Sequence, residues 1–432
     1  MKLRINPFRT DFPRLTPLWI SVFVDILGFS ILIPFLPFFG QQFGAPAWKI
    51  GLLLSTNALF SFFSGPIWGS LSDRYGRKPM LLISQVGTLV GFLIMAFSNT
   101  LTMMFVSRIV DGIFGGNYPI AKAIVGDVVP ARQRSEQMSN IGVAHVLSSL
   151  IGPGLGGLLS GWGILAPGLM AATMTLGAIL TTLFFLEESH PLLIGDATAG
   201  GREIGKTYGL GDALTKQPLP AGAAAAQRHM PLSIRRRAVW SNPAARYLLI
   251  QWGFHTLSFM VYMSSISLFG SLKLGLDAGG MGQLLMLAGI VRVFIRFVVF
   301  VPLRRKIGDR KTSLLGLGLF VPIYIALGMV ENQVQFGLIL CLVSFGAACS
   351  RGILNSFLSR SVKPWEQGTA MGLSASLDSF AQITGPLVGG LVLGSMPIWV
   401  YGAVAACCAF GAFVMAWRPL LFQDHVQPVL TA

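Results

Sequence analysis

The sequence predicts an all-α integral membrane protein of twelve transmembrane helices, arranged as two parallel six-helix repeats. Three observations predict it. First, 53% of the 432 residues are hydrophobic and 11% are charged, with a mean hydropathy of +0.67. Soluble domains carry roughly 25% charge, and disordered chains are poor in apolar residues. Second, the apolar runs are about 20 residues long and show no period-two alternation, which fits membrane helices and not barrel strands. Third, the chain repeats itself. Gly152-Pro153-Gly154-Leu155-Gly156-Gly157 and Gly385-Pro386-Leu387-Val388-Gly389-Gly390 share Gly-Pro-x-x-Gly-Gly, 233 residues apart. The turn Asp73-Arg74-Tyr75-Gly76-Arg77-Lys78 returns in degenerate form as Arg305-Lys306-Ile307-Gly308-Asp309-Arg310, 232 residues later.

Taken in order, the twelve apolar segments are 17–38, 48–70, 80–97, 101–125, 137–161, 164–186, 245–270, 280–302, 312–330, 334–358, 368–393 and 397–417. The chain is polar through Arg14, and the run after it has no small-residue cleavage site, so it reads as a retained first helix. Residues 1–187 form a first six-helix bundle and 245–432 a second. Residues 188–244, rich in Gly, Ala and Pro and carrying Arg235, Arg236 and Arg237, read as a linker loop. The offset between the repeats spans an even number of helices, so the halves run in parallel through the membrane. That is a transporter architecture, with the site expected at the midplane between the halves.

Lys and Arg total 32 against 17 Asp and Glu, a net charge of +15. With the N-terminus placed inside, 25 of the 32 cations fall on the inner side, counting Arg246 at a span margin, and only Lys49 and Lys273 on the other. This asymmetry puts both termini in the cytoplasm, with the plasma (inner) membrane as the default location. It also removes any need for nucleic acid to explain the basic excess; the central loop needs no partner beyond an anionic lipid surface. Cys341, Cys349, Cys407 and Cys408 all lie in apolar runs, as packing residues do, with neither disulfide nor zinc spacing. There is no His-Glu-x-x-His, no loop-borne Gly-x-Ser-x-Gly and no phosphate-binding Gly-x-x-x-x-Gly-Lys pattern. No cofactor, no metal and no enzyme activity are expected.

Loop 2–3, Gly69-Ser70-Leu71-Ser72-Asp73-Arg74-Tyr75-Gly76-Arg77-Lys78-Pro79, resembles the signature of the major facilitator superfamily. The resemblance extends to span number, long middle loop and duplication, and it implies the major facilitator fold. It also implies that Asp73 docks near the start of helix 11 and that Arg77 pairs with Asp127 at the end of helix 4, latching the cytoplasmic side. Gly69, Arg74, Gly76 and Lys78 complete that motif. A plain tight turn with positive-inside charges accounts for Arg74 and Lys78 but not for Asp73. Arg108-Ile109-Val110-Asp111-Gly112-Ile113-Phe114-Gly115-Gly116 is similar to the family's helix-4 motif. Gly152, Pro153, Gly156 and Gly157 resemble the helix-5 motif of antiporters, with Ser148 where the fuller form has a glycine. Gly385, Pro386, Gly389 and Gly390 repeat it in helix 11, and close helix packing alone also explains these glycines. Asp25-Ile26-Leu27-Gly28 with Pro34 and Pro37 resembles helix 1 of the twelve-helix drug:proton antiporters, the tetracycline exporters among them.

Asp25 and Asp111 lie near the centres of their spans. An ionised carboxylate there costs several kcal/mol unless it is paired or protonated, so Asp25, Arg108 and Asp111 are candidates for a proton switch. The competing reading is a fixed Arg108–Asp111 pair at i, i+3. The second half carries His255, Arg292, Arg296, Arg351 and Asp378 within its spans. Arginine forks suit carboxylates and phosphates, so these residues form either a basic substrate cleft or one neutralised arginine with others snorkelling to headgroups. His145 stands where Asp378 stands in the repeat; His145 and His255 are secondary candidates, since a lone membrane histidine is commonly a packing residue. The expected function is secondary active transport of a small organic solute by alternating access, as proton-coupled efflux from a monomer. Alternatives are a transporter of an anionic or metal-chelating metabolite and a non-transport receptor or assembly protein.

Overall fold

The structure, a computed structural model, describes residues 15–129, 134–189, 232–363 and 366–417. The N-terminal tail, most of the central loop and the C-terminal tail lie outside these. Among the described residues all regular structure is helical. The helices are α1 (Thr16–Leu32), α2 (Leu36–Gln42), α3 (Ala47–Tyr75), α4 (Arg77–Ala96), α5 (Leu101–Ile113), α6 (Asn117–Val128), α7 (Arg134–Leu159) and α8 (Leu165–Phe185). After the central loop come α9 (Leu232–Ser241), α10 (Pro243–Leu274), α11 (Ala278–Phe294), α12 (Phe300–Gly328), α13 (Gln333–Arg360), α14 (Gln367–Ser395) and α15 (Trp399–Trp417). All twelve predicted apolar segments fall on these helices.

Span and helix do not always coincide, and the exceptions are informative. Span 1 is α1 and α2 joined by a 3₁₀ turn at Ile33–Phe35; Pro34 removes a backbone donor there. Span 4 is broken between α5 and α6. Span 8 runs from α11 through a π-helical turn, Ile295–Val299, into the start of α12. Spans 8 and 9 share α12, divided at Gly308, whose φ of 80° and ψ of 166° only glycine adopts without strain. Gly76, between spans 2 and 3, has the matching φ of 102° and ψ of 155°. The basic turn is therefore built twice with the same backbone.

Other local details repeat at the same spacing. Thr100 caps α5 by accepting from the Met103 amide at 3.3 Å, and Asn332 caps α13 by accepting from the Gln335 amide at 2.9 Å. Each supplies an orphan helix donor with an acceptor. The helix pairings also repeat. In the first half α1 packs on α7 and α8, and α4 on α5 and α8; in the second α10 packs on α14 and α15, and α12 on α13 and α15.

Two compact units emerge, residues 1–39 with 56–226 and residues 40–55 with 227–432. In the first, buried apolar side chains from α1, α3, α4, α6 and α7 meet around Leu18, Leu81, Ile120 and Val125. A Cβ on Gly152 would overlap Ser30, and one on Gly156 would overlap Ile31 and Phe35, so these glycines let α7 lie directly on span 1. In the second unit Gly385 lies against Met260 and Gly389 against Ser265, bringing α14 onto α10 in the same way. Gly157 and Gly390 are also buried, as are Pro153 and Pro386 inside their helices. Residues 40–55 pack within this second unit. Gly51 abuts Pro386 and Gly390, and the Ser55 hydroxyl donates to the Ile383 carbonyl at 2.7 Å. Ser271 donates to Gln41 Oε1 at 2.8 Å.

This packing predicts opposite effects at two glycines. Gly156→Val forces α7 from α1 and lowers stability by about 1–3 kcal/mol, the usual cost of overpacking. Gly126, with nothing within 4 Å of its absent Cβ, becomes Ala at a gain of about 0.5–1 kcal/mol in a helix interior. Thermal unfolding of the purified variants in detergent reads both.

Candidate functional site

The first unit's polar interior is organised by the break in span 4. The segment from Gly112 to Gly116 is rich in glycine, and the glycines sit where side chains do not fit: a Cβ on Gly112 would overlap Phe60, and one on Gly116 would overlap Trp68. Interrupting a membrane helix frees backbone groups, which then need partners. Trp68 Nε1 donates to the Ile113 carbonyl at 2.7 Å, and Ser64 donates to the Gly112 carbonyl at 2.8 Å. Ser84 does both jobs, donating to the Phe114 carbonyl at 2.5 Å and accepting from the Gly116 amide at 3.0 Å.

The break sets two carboxylates beside two carboxamides. Asp111, on the last turn of α5, is buried and accepts from Asn57 Nδ2 at 2.8 Å. Arg108, fully buried, lies 3.3 Å from the same carboxylate and 5.7 Å from the Phe92 ring centre. Gly91 allows this crowding, since a Cβ there would sit 3.0 Å from Asp111 Cβ. Asn117, the first residue of α6, donates to Asp25 Oδ2 at 2.8 Å. Asp25 Oδ1 is buried with no hydrogen-bond partner, and Asp25 is in no ion pair with any described residue. Ser148, buried on α7, donates to the Phe23 carbonyl at 3.0 Å, two residues before Asp25. The structure thus brings Asp25, Arg108 and Asp111 into one polar interior and adds Asn57 and Asn117. Two carboxamides inside apolar spans are themselves a signal of function; attention to charged residues alone passes over them.

The basic turn forms a second cluster. Arg77, buried at the start of α4, reaches Asp73 at 2.5 Å and Ser72 Oγ at 2.8 Å through Nη1, and Asp127 at 2.7 Å through Nε. Gly76 is buried beneath it, Gly69 accepts from Ser72 at 2.8 Å through its carbonyl, and Arg74 is exposed over Tyr75. Glu188, beyond α8, accepts from the amides of Arg77 at 2.9 Å and Lys78 at 3.1 Å, an anion on a helix N-terminus. Lys78 Nζ donates to the Leu183 carbonyl at 2.9 Å.

The second copy keeps this arrangement with its signs reversed. Asp309 follows Gly308 as Arg77 follows Gly76. It accepts from Arg304 Nε at 2.5 Å and lies 3.8 Å from Arg360, which stands 233 residues after Asp127. An arginine between two acids in one half is an acid between two arginines in the other.

The remaining candidates lie in the second unit. Asp378 accepts from Thr256 at 2.6 Å and Trp252 Nε1 at 3.2 Å, and pairs with Arg351 at 3.4 Å. Arg351 also lies 5.7 Å from the Trp252 ring centre. His255 is buried between Trp252 and Phe320, with Ser350 Oγ 3.5 Å away. Arg296 is exposed, 4.9 Å from the Phe300 ring centre, and Arg292 is half-buried in α11. Arg296 Nη1 also lies beside Gly352, the residue after Arg351: a Cβ there would be 3.8 Å from it. The side chain of His145 lies outside the described residues. Among the described residues no group of His, Cys, Asp and Glu is placed to hold a metal.

Comparison with known proteins agrees with this architecture. Residues 18–364 and 297–429 match the family model described as Major Facilitator Superfamily. The chain is 27% identical to the class H tetracycline resistance protein of Pasteurella multocida, over 88% of this chain and 90% of that one. It is 25% identical to a multi-drug resistance efflux pump PmrA homolog of Lactococcus lactis, over 95% of each chain. Among solved structures, the human organic anion transporter MFSD10 (TETRAN) superposes with a TM-score of 0.64 at 23% identity, over 94% of this chain and all of that one; this likeness shows the fold.

The Arg77 cluster makes a quantitative prediction. Arg77→Ala and Asp127→Ala each destabilise the protein, and the double variant is less unstable than the sum by about 0.5–3 kcal/mol. A double-mutant cycle on thermal unfolding measures this; strict additivity contradicts the pairing.

Proposed function

The chain belongs to the major facilitator superfamily, and on that premise we propose that it exports a small organic solute in exchange for protons, with Asp25 as the principal proton-carrying group. The chain is a multi-pass membrane transporter and not an enzyme. One observation carries the proton assignment. Among the described residues Asp25 has a single hydrogen-bond partner, the neutral Asn117, and its other oxygen is buried and unpaired. A carboxylate so placed is costly when ionised and cheap when protonated. Asp111 differs, because Arg108 and Asn57 both supply it with favourable contacts. Its role in this reading is to fix the local field with Arg108, while Asp25 loads and releases.

Efflux is supported by the relative named as an efflux pump, matched over 95% of each chain. The cation asymmetry supports both termini in the cytoplasm. In that orientation the Arg77 cluster and its sign-reversed copy at Asp309 stand at the cytoplasmic ends of their bundles. Each ties the end of one helix to the start of the next, giving alternating access rigid bodies to move. A monomer is sufficient, since each feature invoked is built within one chain.

The test is Asp25→Asn in proteoliposomes. The variant loses solute movement driven by a proton gradient while keeping solute–solute exchange within about threefold of wild type. Loss of both in folded protein assigns Asp25 to solute binding or structure instead.

A further inference from the structure

Of the arginines inside the second unit's spans, two have an evident place. Arg351 pairs with Asp378, and Arg296 is exposed against Phe300. Arg292 has neither an ionic partner among the described residues nor full access to solvent. Its Nε is buried without a hydrogen-bond acceptor, and no carboxylate among the described residues forms an ion pair with it. What it has nearby is the phenol of Tyr262, close enough to interact electrostatically. Tyr262 is itself buried, its ring tilted against that of Tyr324, which stacks in turn on Phe320.

Two further facts separate this residue from a packing arginine. The span changes helical form beside it: Ile295–Val299 is a π-turn, and the Ile295 amide reaches back to the Arg292 and Val291 carbonyls. Such turns are rare and concentrate at functional sites. The guanidinium is also near the middle of span 8 by residue count, too far in to snorkel easily to a headgroup. A cation partly withdrawn from water inside a membrane span, with no counter-charge, is unfavourable, and a guanidinium fork matches a planar oxyanion in two parallel hydrogen bonds.

We propose that Arg292 is the recognition point for an oxyanion, a carboxylate, sulfonate or phosphate, borne by the aromatic or apolar body of the transported solute. The counter-charge missing from the protein is supplied by the solute when it is bound. This rests on the transport reading above and adds the substrate class to it; it does not depend on which group carries the proton.

The experiment is a binding assay on the purified full-length chain in detergent. The probes are 2-naphthoate, 2-naphthalenesulfonate and 2-naphthyl phosphate, each paired with a neutral amide or methyl ester. Thermal unfolding and tryptophan quenching give the affinities. At least one anion binds wild type tenfold or more tighter than its neutral partner. Arg292→Met abolishes that preference, and its ligand-free stability is equal to wild type or higher, because an unmatched charge has been removed. Arg292→Lys keeps the charge but loses the fork, and binds several-fold more weakly; this variant decides the matter where the methionine variant fails to fold. Equal binding of the anionic and neutral probes, binding of none, or a preference unchanged in either variant overturns the proposal. So does stabilisation by phosphatidylglycerol alone, which identifies a lipid phosphate as the occupant. Proton flux driven by a cationic drug in proteoliposomes, preserved in Arg292→Met, would leave the efflux reading standing while this one failed. Anion preference with no proton flux would do the reverse.

Discussion

A charge inside a membrane helix must be paired, hydrogen-bonded, neutralised or met by something that comes and goes. Much of this structure follows from how each buried charge meets that demand. Asp111 is paired with Arg108 and bonded to Asn57. Asp378 is bonded by Trp252 and Thr256 and paired with Arg351. Asp25 and Arg292, one in each unit, form no ion pair with any described residue, and each keeps a buried polar atom without a hydrogen bond. In the proposed reading a proton answers the first and an anionic solute answers the second. A transporter needs such sites, since a group satisfied in every state has no reason to bind and release.

The break in span 4 shows how the fold reaches this arrangement. Glycines at 112, 115 and 116 let neighbouring side chains fill the helix surface, and Ser64, Ser84 and Trp68 take up the backbone groups that the break releases. Only then can Asp111 end one helix and Asn117 begin the next, so that each presents a polar group to the interior. The duplicated halves show the complementary lesson. Backbone geometry at Gly76 and Gly308 is nearly the same, as are the helix pairings, yet the charges that surround each turn have exchanged sign. Pairing, and not the identity of either partner, is what the two copies share.

That exchange explains part of what the sequence hides. The Gly-Pro-x-x-Gly-Gly repeat and the twelve apolar runs were legible, because packing and burial constrain residue type directly. The second basic turn looked degenerate, because a comparison of residue types registers Arg77 against Asp309 as a mismatch. Asn57 and Asn117 escaped notice for a different reason: an asparagine is unremarked beside charged residues until its partner is seen across the bundle. The π-turn after Arg292 has no sequence signature of its own. Glu188 was inconspicuous because it follows span 6, far in sequence from the helix start that it caps.

An antiporter ties solute movement to proton movement in the opposite sense. The direct measurement uses wild-type protein in liposomes holding a pH-sensitive dye, with an acidic lumen and no membrane potential. Addition of a transported solute outside should raise lumenal pH as protons leave while the solute enters, with the signal saturating in solute. A lumenal pH that follows only the passive leak, while labelled solute still crosses, would contradict the coupling and leave a uniporter.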